Sequence, residues 1–152
     1  VSFYNYVGGE TSYLSFEKDE YPLDVPAQKE SILSLEGNPN NIMLLAMAGE
    51  EIAGIATISS THKIKGRHDG ELGIVVAKKY QGQGIGSELI RRLIEWARGN
   101  GVTTRLSLDT RTDNVNAVSL YLKFGFQVEG CRLNSTLLDG KYYDLYVMGM
   151  ML

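Results

Sequence analysis

The 152-residue sequence predicts a mixed α/β (α+β) fold, in which a largely antiparallel central sheet is flanked by helices. Paired strand-like runs of hairpin type precede Glu71, and between Glu71 and Trp96 a β-branched strand passes through a run of glycines into an amphipathic helix. Two further strand-like runs around Asp139-Gly140 close the chain as a second hairpin. Hairpins at both ends with strand-helix units between them point away from a uniformly parallel, doubly wound sheet.

Val1 to Tyr21 interleaves Phe3, Tyr4, Tyr6, Tyr13, Phe16 and Tyr21 with an acidic patch at Glu17, Asp19 and Glu20, and shows no sustained amphipathic period. It reads as a solvated loop, with the lining of an amine-binding site as its functional alternative. Asp24 caps a helix through Leu35, with Pro26 in its first turn, and Gly37-Asn38-Pro39-Asn40 stops it. Ile42 to Ala48 and Ile52 to Ser59 form a hairpin about Gly49-Glu50-Glu51, and Gly54 marks a bulge or a close approach of backbone. The basic stretch His62, Lys63, Lys65, Arg67 and His68 reads as a hydrated hairpin tip, or alternatively as a contact for phosphates or an acidic partner.

Leu72 to Ala77 is the central strand. From Ile85 onward apolar residues recur at 85, 89, 90, 93, 94 and 97, one face of a helix that Arg98-Gly99-Asn100-Gly101 terminates. Thr103 to Asp109 is the next strand, and Asn114 opens a helix that Gly125 ends. Phe126 to Leu133 and Tyr142 to Met150 are the strands of the closing hairpin.

Between the central strand and its helix, Gly82, Gly84 and Gly86 leave the backbone unshielded where the helix presents unsatisfied N–H groups and the positive end of its dipole. That is the chemistry of a phosphate or pyrophosphate cradle; a tight turn between two core elements is the plainer reading of the same glycines. A P-loop would close on Gly-Lys-Ser/Thr, whereas Gly86 is followed by Ser87 and Glu88. A dinucleotide fingerprint would place its third glycine where Ser87 or Leu89 stands, so Asp109 imitates a ribose ligand only superficially.

The spacing Gln81-x-x-Gly84-x-Gly86, between a strand and a helix, resembles the acyl-CoA signature of the GNAT superfamily of N-acetyltransferases. A second stretch, Asn114-x-x-Ala117-x-x-Leu120-Tyr121-x-x-x-Gly125-Phe126, is similar to that superfamily's second cofactor motif. The tail from Gly130 to Met151 resembles the branch that contains ribosomal-protein N-terminal acetyltransferases.

The resemblance implies a single N-acetyltransferase domain over residues 1–152 that moves acetyl from acetyl-CoA directly to a primary amine, on a small molecule or a protein N-terminus. It assigns cofactor binding to Ile74, Val75 and Val76, to the loop Gln81, Gly82, Gln83, Gly84, Ile85, Gly86 and Ser87, and to Asn114, whose plainer role is a helix cap. Tyr121 is implied as the group that meets the departing thiolate, although a helical tyrosine of this kind also suits a core. Glu71 is chosen as the base, with Asp69 and the acids at 17 to 20 as alternatives, and a strand-end carboxylate as its plain reading. A strand and a helix normally precede the first hairpin in the superfamily, so this chain is expected to lack them or to carry them abbreviated. A non-catalytic acyl-CoA-binding or regulatory module of the same fold is the alternative function.

Composition bounds the rest. A formal charge of -3 offers no general attraction to nucleic acid, and no apolar run suits a membrane span. Cys131 is the only cysteine, and His62 and His68 the only histidines. No internal disulfide, no metal and no thioester relay through a Cys-His pair is therefore expected. Without a recognisable signal peptide the expected location is cytoplasmic. The strands of the closing hairpin offer an edge along which a homodimer would pair.

Overall fold

A computed structural model describes residues 1–152, and its centre is one six-stranded sheet of order β1-β2-β3-β4-β6-β5. The strands are β1 (Ile42–Ala48), β2 (Glu51–Ser59), β3 (Asp69–Val76), β4 (Arg105–Arg111), β5 (Gln127–Leu138) and β6 (Lys141–Met151). Four helices accompany them: α1 (Ser2–Gly8), α2 (Val25–Leu33), α3 (Ile85–Gly99) and α4 (Val115–Phe124). Every neighbouring pair of strands is antiparallel except β3 and β4, which the crossover through α3 makes parallel. No helix is long and apolar enough to cross a membrane.

Alternation sorts the two faces of the sheet. Ala56, Ile58, Leu72, Leu106, Leu108 and Met148, all at even positions, are buried in one cluster with Leu89, Ile90, Leu93, Ile94 and Ala97 of α3 and Tyr121 of α4. Both helices thus cover the same, even face. Each large apolar side chain withdrawn from water contributes about 1.5–3 kcal/mol, so the stripe of Leu89, Ile90, Leu93 and Ile94 along α3 is what fastens that helix down. Its outer side is laced by Arg91 with Glu88 and Glu95, and by Arg92 with Glu88.

The first hairpin has the expected strands, and Gly54 satisfies both readings of it. The register skips a residue, leaving Ala53 without a partner on β1, and a Cβ on Gly54 would lie 3.0 Å from the Val75 carbonyl oxygen. Asp24 caps α2 by accepting from the Ala27 N–H at 2.9 Å. That helix ends at Leu33, short of the predicted Leu35, because Leu35 and Glu36 bond three residues back and tighten the last turn. β3 begins earlier than expected, at Asp69, and β5 continues past Leu133 to Leu138. Val1 to Tyr21 contains α1, a short helix where a loop was expected; it is held by tertiary contact, with Val7 buried and Tyr4 stacked on Tyr21 at 4.4 Å.

Candidate active site

β3 and β4 stay in register only from Asp69 opposite Arg105 to Glu71 opposite Ser107. Beyond that point β3 continues on β2 as far as Val76, and β4 continues on β6 as far as Arg111, but the two no longer pair with each other. The centre of the sheet therefore opens as a V. The Ala77 N–H donates to the Ala53 carbonyl on β2, which fixes the parity of β3: odd residues turn their backbone groups to β2 and even residues turn theirs the other way. Ile74 and Val76 thus aim backbone groups into the V, whereas Val75 directs its carbonyl toward Gly54.

The glycine loop closes one side of this opening. The N–H groups of Gly82, Gln83, Gly84, Ile85, Gly86 and Ser87 have no acceptor within the protein, and no side chain caps α3. Gly82 and Gly84 take φ of +75° and +82°, a left-handed backbone that turns successive amides outward, and a Cβ built on either meets nothing within 4 Å. A row of free amides at the start of a helix of this length fits a pyrophosphate. Gln81 plays another part: its own N–H bonds the Lys78 carbonyl, and its side chain donates to the Val76 carbonyl at 3.0 Å, tying the loop to the end of β3.

A Cβ on Gly86 would sit within 4 Å of Ile74 and Val76 on β3 and of Leu120 on α4, so loop, strand and second helix converge there. Asn114 precedes α4 but makes no capping bond with its side chain, which leaves the amide free for a ligand. Tyr121, next to Leu120, is 8% exposed and packs edge-on to Phe126 at 5.9 Å. Its hydroxyl has no partner, yet Ser60 Oγ is the only fully buried polar side-chain atom left unbonded, so the Tyr121 hydroxyl still reaches the surface. Burial pushes its pKa up to about 12.

Glu71 points from the odd face, away from α3 and α4, and is exposed with no ion pair. The other carboxylates of that face are engaged. Asp69 accepts from Arg105 Nε at 3.2 Å and Ser107 Oγ at 2.9 Å, and Asp109 is paired with Arg132 at 2.7 Å. Glu17, in the acidic patch, is exposed and lies against α1, where its carbonyl abuts Gly8. Cavities of about 450 and 430 Å³ run along β1, and neither contains Glu71 or Tyr121. No group of three or more His, Cys, Asp or Glu side chains is placed to hold a metal ion.

The sequence reading missed Arg111, Asp113 and Glu10. Arg111 is 5% exposed and grips Asp113 with two bonds, at 3.0 and 2.7 Å. Its position at the end of the buried, alternating β4 strand was a signal; nothing local joins Glu10 to its partner Lys78.

A sheet split beside a loop of free amides defines a transferase that takes its acyl group from acyl-CoA. Residues 10–126 match the acetyltransferase (GNAT) family, and the chain belongs to that family. An L-amino acid N-acetyltransferase of Escherichia coli is 30% identical over 114 residues, 75% of this chain and 70% of the relative. An N-alpha-acetyltransferase, RimI, of Mycobacterium tuberculosis is 36% identical over 111 residues, covering 73% of this chain and 66% of the relative. The crystal structure of a GNAT-family acetyltransferase from Streptococcus pneumoniae superposes with a TM-score of 0.97 at 37% identity, over 100% of this chain and 91% of that one. The protein is an acetyl-CoA-dependent, amine-directed acetyltransferase of this family.

Proposed function

We propose that residues 1–152 work as one cytoplasmic N-acetyltransferase domain that transfers acetyl directly to a primary amine, with Glu71 as base and Tyr121 facing the leaving sulfur. The observation that carries this reading is the end of β3–β4 pairing at Glu71 and Ser107, which puts a free carboxylate at the apex of the V. Acetyl-CoA supplies the acetyl group as a thioester; transfer forms the amide C–N bond and breaks the C–S bond, and the proton that the neutral amine loses to Glu71 is balanced by the one the departing thiolate takes up from water to become the CoA thiol.

The free amides of Gly82 to Ser87 receive the pyrophosphate, Ile74 and Val76 offer backbone groups along the pantetheine arm, and Asn114 adds an amide from the opposite side. Val75, although implied as a ligand, contributes only its side chain to the wall. Glu71 takes the amine proton on the odd face, while Tyr121 stands on the even face, so nitrogen and sulfur are served from opposite sides of the sheet. A phenol whose pKa is about 12 is protonated throughout the neutral range. Full proton transfer from it to a thiolate, whose conjugate acid has a pKa of about 8.5, runs uphill. Tyr121 therefore acts chiefly as a hydrogen-bond donor to the charge developing on sulfur.

The names of two relatives, an L-amino acid N-acetyltransferase and an N-alpha-acetyltransferase, both describe α-amino groups. Such an amine, with a pKa of about 7.7 to 8.0, is substantially free at neutral pH and asks less of its base than a lysine. An assay of CoA release with amino acids, peptides bearing a free N-terminus, polyamines and lysine analogues tests the reading; acetyl-CoA binding without release for any of them would leave a non-catalytic acyl-CoA module. The outermost strand, β5, has one free edge, and a homodimer paired along it belongs to the same proposal, with sedimentation as its test.

A further inference from the structure

The segment Glu10–Tyr13 is fixed to both arms of the V at its open end. Glu10 Oε2 accepts from the backbone N–H of Lys78 at 2.8 Å, immediately beyond β3. Two residues later the Ser12 carbonyl accepts from Arg111 Nη1 at 2.9 Å, at the last residue of β4. Two residues span at most about 7 Å, so this short segment ties together the ends of strands that have left each other. Arg111 is built as a clamp: its guanidinium holds Asp113 with two bonds and lies 3.7 Å from the ring centroid of Tyr143 and 4.8 Å from that of Tyr13. The Tyr13 hydroxyl adds a long bond to the Asp113 carbonyl, 3.4 Å. The alternation of β4 places Arg111 on the odd face, with Glu71 at the closed end of the same V.

We propose that Arg111 is a positioning residue for the acceptor, holding Glu10–Tyr13 as a strap across the open end of the splayed strands so that strap and cleft enclose one chamber above Glu71. The inference rests on the reading of the V as the transfer site. Lysine at 111 keeps the charge but neither the planar fork for Asp113 nor the guanidinium contacts with the Tyr13 and Tyr143 rings, and so releases the strap from β4. Removing the Glu10 carboxylate releases the same strap from β3. Glu10 and Arg111 make no contact with each other, so their effects coincide only if the segment acts as one element.

The test compares wild type, Arg111→Lys, Glu10→Ala and the double variant, by initial rates against amine concentration at saturating acetyl-CoA and by hydrogen exchange of the amides at 10–13. Each single variant is expected to raise the acceptor KM about tenfold, the size of one lost charged hydrogen bond, with kcat changed far less and strap exchange faster. The double variant is expected to be no worse than the worse single one. Fold-changes that multiply in the double variant, or a wild-type KM in Arg111→Lys, overturn the strap as a positioning device. Should wild type release no CoA with any amine, the transfer reading itself fails, and unchanged exchange at 10–13 in both single variants would separately overturn the strap.

Discussion

Glu71 and Ser107 are the last residues at which β3 and β4 face each other in register. Two pairs back, Asp69 is held by both Arg105, which neutralises its charge, and the Ser107 hydroxyl, so that both of its oxygens are occupied. The oxygens of Asp69 are taken up by protein donors, whereas Glu71, two register steps nearer the opening, is exposed and unpaired. The difference between these two acids is why Glu71, and not Asp69, is the base we propose.

The cradle is tested at Gly84. Any side chain there meets open space but must adopt φ of +82°, so Gly84→Val carries backbone strain as well as bulk, and Gly84→Ala is the milder companion. Because the loop is exposed, both variants are expected to fold. Acetyl-CoA should raise the melting temperature of wild type by mass action, and that shift should shrink in Gly84→Ala and vanish in Gly84→Val. Unchanged affinity by calorimetry in both variants would remove the loop from cofactor binding.

Tyr121→Phe deletes a hydroxyl that bonds nothing within the protein and keeps the ring packed on Phe126. Stability should change little, because no partner is stranded. Turnover should fall by about 10- to 1000-fold, the range of one lost catalytic hydrogen bond, with acetyl-CoA affinity nearly unchanged. Wild-type turnover would reduce Tyr121 to a core residue.

Alkaline stability reads the same hydroxyl. Burial raises the pKa of Tyr121 to about 12, and burial with help from Tyr21 does the same for Tyr4, against an ordinary value of about 10. A pKa raised by folding contributes stability that is complete below about pH 10 and is lost as pH climbs through about 12. Urea midpoints are therefore expected to be insensitive to these two groups up to about pH 10 and to fall beyond it, less steeply in Tyr121→Phe. Equal slopes in the two proteins would show that the hydroxyl ionises as it does in an unfolded chain.

Parts of this site were legible in sequence because they are local. The period of Ile85 to Ala97 needs only a helix to explain it, and the glycine loop ahead of it has few other uses. α1 was hidden because its few residues are aromatic all round and carry no side-chain cap, so contacts such as the Tyr4–Tyr21 stack decide its form. The sequence pattern stops β5 at Leu133 because the register breaks between Arg132 and Thr136, around Asn134 at φ of +52°, and masks the alternation beyond. The V and its strap were out of reach altogether: where β3 leaves β4, and which residue reaches Lys78, are pairings between distant parts of the chain that no local pattern encodes.

Glu71→Gln tests the base through pH, because it preserves size and hydrogen bonding while removing the oxygen that accepts a proton. Glu71 has no cation to leave stranded, so the fold and acetyl-CoA affinity should stay near wild type, the latter because the phosphate loop lies at the other end of β3. If Glu71 draws the proton from the amine, the variant should lose rate most severely at about pH 6 to 7, where amines are chiefly protonated, and recover toward about pH 9 as free amine becomes available unaided. The recovery should come at lower pH for an α-amino acceptor than for a lysine analogue, following pKa values of about 8 and about 10.4. A loss independent of pH would make Glu71 an acceptor-positioning group, and a wild-type profile would leave the proton to water or to an acceptor that needs no base.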